Sequence, residues 1–394
     1  MRRFTVALTI AALGVATAGA ASAGPGTRTL QRHADALLAQ GAPGVLVELD
    51  TPRGDLRVRS GYGNADRRTP VPWDAKFRIG SYTKTFVAAT ALQLVGEGRL
   101  SLEDTVERWL PGVVAGNGHD GSRITVRQLL QHTSGLRDYV GLMPNLFKEE
   151  DFRRTRFDTV TPEQAVALAL RVPADFAPGA GWKYSNTGYA LAGMVIERVT
   201  GNSWQEEVER RVVEPLELRD TSLPGTSPVI PRPHAVGYER FPEKGLEADP
   251  ADPRYGEAID ATAFNPSWGG AAGEMISTTG DANRFLRALV RGEVLRPAQL
   301  AEMRRTVPAP AFEQAWPGVR YGLGIMFVPN SCGGHWAHGG DIMGFMTRNG
   351  VTPDGARSVV VSINTDSMVP APGAPAHRGD PAFELVEHAL CDVR

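Results

Sequence analysis

Residues 86–95 read Phe-Val-Ala-Ala-Thr-Ala-Leu-Gln-Leu-Val, and nearly every position is apolar. A helix over this run has no polar face, so the rest of the chain must wrap it on all sides. Just before it stands Phe77-Arg78-Ile79-Gly80-Ser81-Tyr82-Thr83-Lys84. Residues three apart share a helical face, so Ser81 in the first turn presents its hydroxyl to the Lys84 ammonium. A serine hydroxyl becomes a useful nucleophile only with a base in reach. The free N–H groups at a helix start favour the negative charge that develops during attack. A lysine at the mouth of a buried helix therefore needs a partner, and Ser81-x-x-Lys84 is a candidate nucleophile–base pair.

The chain has 394 residues, 42% of them hydrophobic, enough for one large domain or two modest ones. Net charge is −2 and no basic run occurs, which argues against nucleic acid and anionic membranes as partners. Arg2 and Arg3, the apolar stretch 4–20 and the small residues Ala21-Ser22-Ala23 read as an export signal (residues 1–23). Gly24 is then the first mature residue, and a secreted protein is expected. No later run is long and apolar enough to predict a membrane span. The two cysteines, Cys332 and Cys391, are expected to pair after export, tying the start of a C-terminal strand to the last helix.

In chain order, 27–40 reads as an amphipathic helix, and 44–49 with 55–59 as an antiparallel hairpin. The nucleophile helix ends near Gly96 and Gly98. A second helix is expected over 100–112, and Thr125 is expected to cap a short helix that Gly135 ends. His132 and Ser134 are read as parts of a buried turn bonded to backbone. A Gly-rich turn at 178–181 delivers Tyr184-Ser185-Asn186 to the start of a helix over 188–200. Ser203 and Glu206 form a capping box. Residues 221–266 are rich in Pro, Asp and Gly and read as a surface excursion. Trp268-Gly269-Gly270-Ala271-Ala272-Gly273 suggests backbone running close to a cleft. Strands return at 321–328, around His335-Trp336-Ala337-His338-Gly339-Gly340-Asp341, at 345–348 and at 358–363, followed by a helix over 381–390. His335-x-x-His338 has no third ligand pattern nearby, so no metal is expected.

Three pieces thus occur in one order: Ser81-x-x-Lys84, Tyr184-Ser185-Asn186 and His338-Gly339-Gly340. Their order and spacing resemble the serine β-lactamase and D,D-peptidase superfamily, most of all secreted D-alanyl-D-alanine carboxypeptidases and class C β-lactamases. The Phe-Arg-Ile-Gly-Ser lead-in, the His-Thr-Ser-Gly-Leu turn, Pro178-Gly179, the Tyr321-Gly-Leu-Gly strand and the cysteine pair share that resemblance. It implies an α+β fold of the β-lactamase/transpeptidase type. An antiparallel sheet from both termini (about 24–80 and 315–394) is flanked by helices and joined to a mostly helical lobe (about 81–314) in a domain over 24–394.

The resemblance implies acyl transfer through an ester on Ser81, with no cofactor. Lys84 and Tyr184 share the proton transfers, Asn186 holds the lysine and the substrate amide, and His338 stands at the third motif. The N–H groups of Ser81 and Asp341 form the oxyanion hole. Trp268, Gly339 and Gly340 are expected to border the substrate. The substrate is then a D-alanyl peptide, a β-lactam or an ester, handled by a monomer. Carboxypeptidase action on cell-wall peptides is the leading expectation, with esterase, β-lactamase or D-amino-acid amidase as alternatives. A non-catalytic β-lactam- or peptidoglycan-binding protein is the other class. The chain departs from the carboxypeptidase pattern where that pattern holds a terminal carboxylate. The hydroxyl positions read Gly339 and Asp341, and the strand Ile325-Met326-Phe327-Val328 carries no arginine. Arg348 is the available substitute.

Overall fold

The computed structural model describes residues 24–143, 146–244, 254–370 and 379–393. The expected export segment, 1–23, lies outside them. Among the described residues the main sheet has nine strands: β1 Gly44–Asp50, β2 Leu56–Gly61, β3 Val307–Pro308, β4 Arg320–Tyr321, β5 Met326–Val328, β6 His335–Ala337, β7 Gly340–Ile342, β8 Phe345–Val351 and β9 Ser358–Ile363. Five helices matter for the site: α1 Pro25–Ala39, α2 Thr83–Gly96, α3 Asn186–Thr200, α4 Thr279–Arg291 and α5 Phe383–Cys391.

The sheet runs β2-β1-β9-β8-β6-β5-β4-β3, with β7 attached to β8. Every pairing in it is antiparallel, and β1 meets β9 from Val45 opposite Ile363 to Asp50 opposite Ser358. The two chain ends thus build one sheet, as expected. Strand alternation sends Val45, Val47 and Leu49 into a core shared with Leu30 and Leu37 of α1 and Leu385 and Leu390 of α5. The other face of β1 meets α4: Thr279 donates to the buried Glu48 carboxylate at 2.6 Å and Asn283 to the Glu48 carbonyl at 3.0 Å. A helix expected in the helical lobe therefore covers the sheet, and the C-terminal strands of the sheet begin at Val307, upstream of about 315.

Helix α2 is buried all round, its threonines included, as the apolar run demands. Phe86 stacks on Phe285 of α4 with ring centroids 3.6 Å apart. Residues 321–328 do not form one strand. They turn back as a β4–β5 hairpin, with Tyr321 opposite Met326. The turn docks on α2: Thr85 donates to the Gly324 carbonyl at 2.7 Å, and a Cβ at Gly324 would lie 2.5 Å from that of Ala88.

Only Val106–Trp109 of the stretch 100–112 is helical, because Asp104 takes the Ser101 N–H (2.9 Å) and the Trp109 indole N–H (3.0 Å) into a turn. Thr125 and Gln128 make a capping box, and the helix Val126–Gln131 ends on His132 at φ +62°, three residues before the expected Gly135. Within the excursion 221–266, Tyr238–Glu239 pairs with Ile259–Asp260; residues 245–253 lie outside the described residues. Cys332 and Cys391 are bridged, with Cα atoms 5.6 Å apart.

Candidate active site

Ser81 lies in a 3-10 turn, Gly80–Tyr82, that feeds directly into α2. Gly80 takes φ +52°, a conformation that costs a side-chain-bearing residue free energy. Lys84, one turn on, is fully buried. Its Nζ lies 3.0 Å from Ser81 Oγ, 2.7 Å from Asn186 Oδ1 and 2.7 Å from the Ala272 carbonyl. Asn186 opens α3, so the second motif reaches the first through a helix start. The tight stretch 268–273 supplies the Ala272 carbonyl.

A residue missed in the sequence fixes this arrangement. The Asp138 carboxylate accepts from Asn186 Nδ2 at 2.9 and 3.2 Å, and from the Asn186 and Val140 backbone N–H groups at 3.2 and 3.1 Å. A carboxylate only accepts, so the Asn186 amide must turn its Nδ2 to Asp138 and its Oδ1 to Lys84. As a free amine, Lys84 then donates its two N–H bonds to Asn186 Oδ1 and the Ala272 carbonyl. Its lone pair is left facing the Ser81 O–H. Burial pulls the Lys84 pKa down to about 7, opposed by the charges of Asp138 and Asp341. The free base is therefore well populated near neutrality. Nothing in Leu136-Arg137-Asp138-Tyr139 distinguishes this aspartate from an ordinary turn residue.

Tyr184 packs its ring 4.8 Å from Lys84 Nζ. Its hydroxyl is buried and, among the described residues, makes no hydrogen bond of ordinary geometry, Ser81 being its nearby polar neighbour. Burial holds the phenol well above pKa 10, and the nearby Ser81 only partly offsets this. Tyr184 is thus a protonated phenol beside the serine. His132 lies against it, with ring centroids 4.2 Å apart, and takes the Ser185 N–H on Nδ1 at 3.2 Å. The expected backbone bond is present, and the same ring also buttresses the second motif.

His338 packs beside this cluster and is hydrogen-bonded to Tyr321 rather than to Ser81, Lys84 or Tyr184. Its Nδ1 lies 2.7 Å from the Gly339 carbonyl, which only accepts, so that nitrogen carries the proton. Its Nε2 then accepts from the Tyr321 hydroxyl at 2.8 Å. Burial, then the Lys84 charge, lowers its pKa to about 3, so the ring is neutral. Both nitrogens are engaged, and its ring centroid is 6.5 Å from that of Tyr184. Asn349 pins the His338 backbone through bonds of 3.0 and 2.8 Å.

Strand β7 lies hard against the serine turn. A Cβ at Gly340 would fall 1.8 Å from the Ile79 carbonyl oxygen and 3.1 Å from Ser81 N, so only glycine fits there. One added at Gly339 would meet Arg348 Nη1 at 3.3 Å. A cavity of about 240 Å3 opens over Ser81, bordered by Asn186, Trp268, Ala272, Asp341, Met343 and Asp366 among others. Gly339 and Gly340 lie behind this lining; Trp268 and Asp341 are in it. Arg348, the substitute cation, is mostly buried. Its Nη1 meets Asp341 Oδ1 at 2.8 Å and its Nε pairs with Asp380. It does not stand free for a carboxylate.

A β-lactamase family model matches residues 30–381. The chain is 32% identical over 290 residues to Esterase EstB of Burkholderia gladioli, spanning 68% of this chain and 71% of that protein. The crystal structure of a D-stereospecific amidohydrolase from Streptomyces sp. superposes with TM-score 0.81 at 40% identity, covering 93% of this chain and 98% of that one. The D-amino acid amidase from Ochrobactrum anthropi SV3, complexed with D-phenylalanine, superposes with TM-score 0.78 at 28% identity, covering 93% and 98%. The match along nearly the whole chain agrees with the expected order of motifs and with the sheet built from both ends: the chain belongs to the β-lactamase family, with the transpeptidase-like fold and serine-hydrolase character of that group.

Proposed function

We propose that the protein hydrolyses amides or esters of D-aminoacyl groups that lack a free carboxylate, through an acyl-enzyme on Ser81. The carrying observation is the state of Arg348, saturated by Asp341 and Asp380, in a cavity whose described lining contains no lysine or arginine. A terminal carboxylate entering this space meets carboxylates and no available cation, which disfavours the carboxypeptidase expectation. The amidohydrolase and amidase similarities point the same way.

In this reading the Ser81 proton passes to the Lys84 lone pair as Oγ bonds to the substrate carbonyl carbon. The oxyanion is held by the N–H groups of Ser81 and Asp341, each such donor contributing about 3 kcal/mol. The C–N or C–O bond breaks as the leaving group takes a proton from the Tyr184 phenol, which Lys84 reprotonates. Water then attacks the ester with the proton flow reversed, releasing the acid and free Ser81. His338, with both nitrogens occupied, positions Tyr321 and the third-motif strand and takes no part in the proton transfers.

Intact mass of wild-type and Ser81→Ala protein, after incubation with a D-phenylalanine ester or with benzylpenicillin, tests the nucleophile. An adduct or product formation on the wild type alone is expected. Full hydrolysis by Ser81→Ala sinks the reading, and release of D-alanine from a D-alanyl-D-alanine peptide at comparable kcat/KM restores the carboxypeptidase. We further propose export with cleavage after Ala23; N-terminal sequencing of protein from the medium should begin at Gly24.

A further inference from the structure

We infer that Asp366, with Asp341 beside it, forms a subsite for a positively charged α-amino group on the substrate. The inference rests on the D-aminoacyl reading and goes beyond it by naming the group that selects the substrate. An α-ammonium is two bonds from the carbonyl carbon. With that carbon at Ser81, the ammonium must sit inside the same cavity. Two carboxyl groups, Asp341 and Asp366, are the ionisable acids bordering that cavity, and no lysine or arginine borders it among the described residues.

Charge balance around the pair favours a cation. Arg348 already serves Asp341 and Asp380. No ion pair reaches Asp366 among the described residues; its side chain meets that of Asp341 instead. Behind it, the buried Glu239 carboxylate takes the Gly344 N–H at 2.9 Å and the Arg240 N–H at 3.1 Å, and has no cationic partner among the described residues. Asp341 and Asp380 thus share the one guanidinium, and neither Asp366 nor Glu239 has an ion-pair partner among the described residues. Burial and the charges of Asp341 and Glu239, against the weaker pull of Arg348, hold Asp366 well above the usual carboxylate range. An ammonium arriving beside Asp366 supplies the missing counter-charge, so the carboxyl gives up its proton and accepts a charge-assisted hydrogen bond. N-acylation of the substrate removes the charge and leaves a single neutral N–H donor in place of three.

The test compares D-phenylalanine amide with N-acetyl-D-phenylalanine amide on wild type and Asp366→Asn, with p-nitrophenyl butyrate as a neutral ester that needs no ammonium site. Wild type should favour the free amine in kcat/KM by about 10- to 150-fold, the range of a hydrogen bond to a charged group. Asp366→Asn should lose that preference, mainly through KM, and should lower kcat/KM at least about tenfold more on the free-amine substrate than on the ester. Equal rates on the two amides by the wild type, or an equal loss on all three substrates in Asp366→Asn, overturn the inference and leave the acyl-hydrolase reading standing. If the wild type cleaves the ester but neither amide, the amide reading fails. The subsite is then judged by inhibition of ester hydrolysis. A Ki for D-phenylalanine amide at least tenfold below that of the acetylated amide, abolished in Asp366→Asn, supports it. Equal Ki values overturn it.

Discussion

Asp138→Asn should change the pH profile and the rate in a way that tests how Lys84 is made a base. The fall of the Lys84 pKa from 10.5 to about 7 corresponds to about 5 kcal/mol between its two protonation states. Burial is the source, and Asp138 is the first charge opposing it. The proton acceptor must be the free amine, so kcat/KM should fall about tenfold per pH unit below about 7 and level off above it. Removing the Asp138 charge leaves burial less opposed, so the acid limb should move to lower pH. That shift raises the free-base fraction at pH 7 at most about twofold. Against it stands the loss of orientation. Asp138 holds Asn186 through three bonds of 2.9–3.2 Å, and an asparagine at 138 no longer dictates which way the Asn186 amide faces. Losing a hydrogen bond to a charged group costs about 1.5–3 kcal/mol, or about 10- to 150-fold in rate. The assay is hydrolysis of a chromogenic ester from pH 5 to 10 by both proteins. A wild-type limb near 10, a limb unmoved by the substitution, or an undiminished plateau would refute the reasoning.

Gly340→Ala should abolish acylation of Ser81 while the protein stays folded by circular dichroism, because its Cβ would sit 1.8 Å from the Ile79 carbonyl oxygen; full acylation by intact mass would show that β7 need not touch the serine turn. Phe86→Ala removes a fully buried ring stacked 3.6 Å from Phe285 and should cost about 3–5 kcal/mol in urea unfolding, a loss below about 1 kcal/mol contradicting the packing. Opening the Cys332–Cys391 bridge, which spans 59 residues, by Cys391→Ser should cost up to about 4 kcal/mol by loop entropy. Dithiothreitol should then destabilise the wild type and leave the variant unchanged.

Much of this was legible in the sequence because it is local or periodic. The buried helix follows from residues 86–95, and the Ser81–Lys84 contact from a three-residue spacing on one helical turn. The capping box at Ser203 formed as read. The hairpin inside 321–328 was hidden, since its cause is contact with Ala88 and Thr85, far away in the chain. Asp138 was hidden for the same reason: its role is to face Asn186, 48 residues on. Asp366 carries no local pattern at all and gains meaning only where β9 ends beside the cavity.

Burial is what joins these parts into one chemical device. It drives Lys84 toward the free amine, keeps Tyr184 a phenol and keeps His338 neutral. Lys84, poised near pH 7, and the Tyr184 phenol can therefore exchange a proton without a standing phenolate, and the neutral His338 stands outside that path. An uncharged relay next to an acidic rim has a definite preference. In the proposed reading it lets a carbonyl approach Ser81 without displacing an ion pair, and it disfavours an anion at the position where a carboxypeptidase must hold one. In that reading substrate choice depends on the carboxylates around Arg348, and the chemistry on the buried contacts of Lys84. Substitutions in the first group should change KM ratios between substrates, and those in the second should lower kcat for all of them.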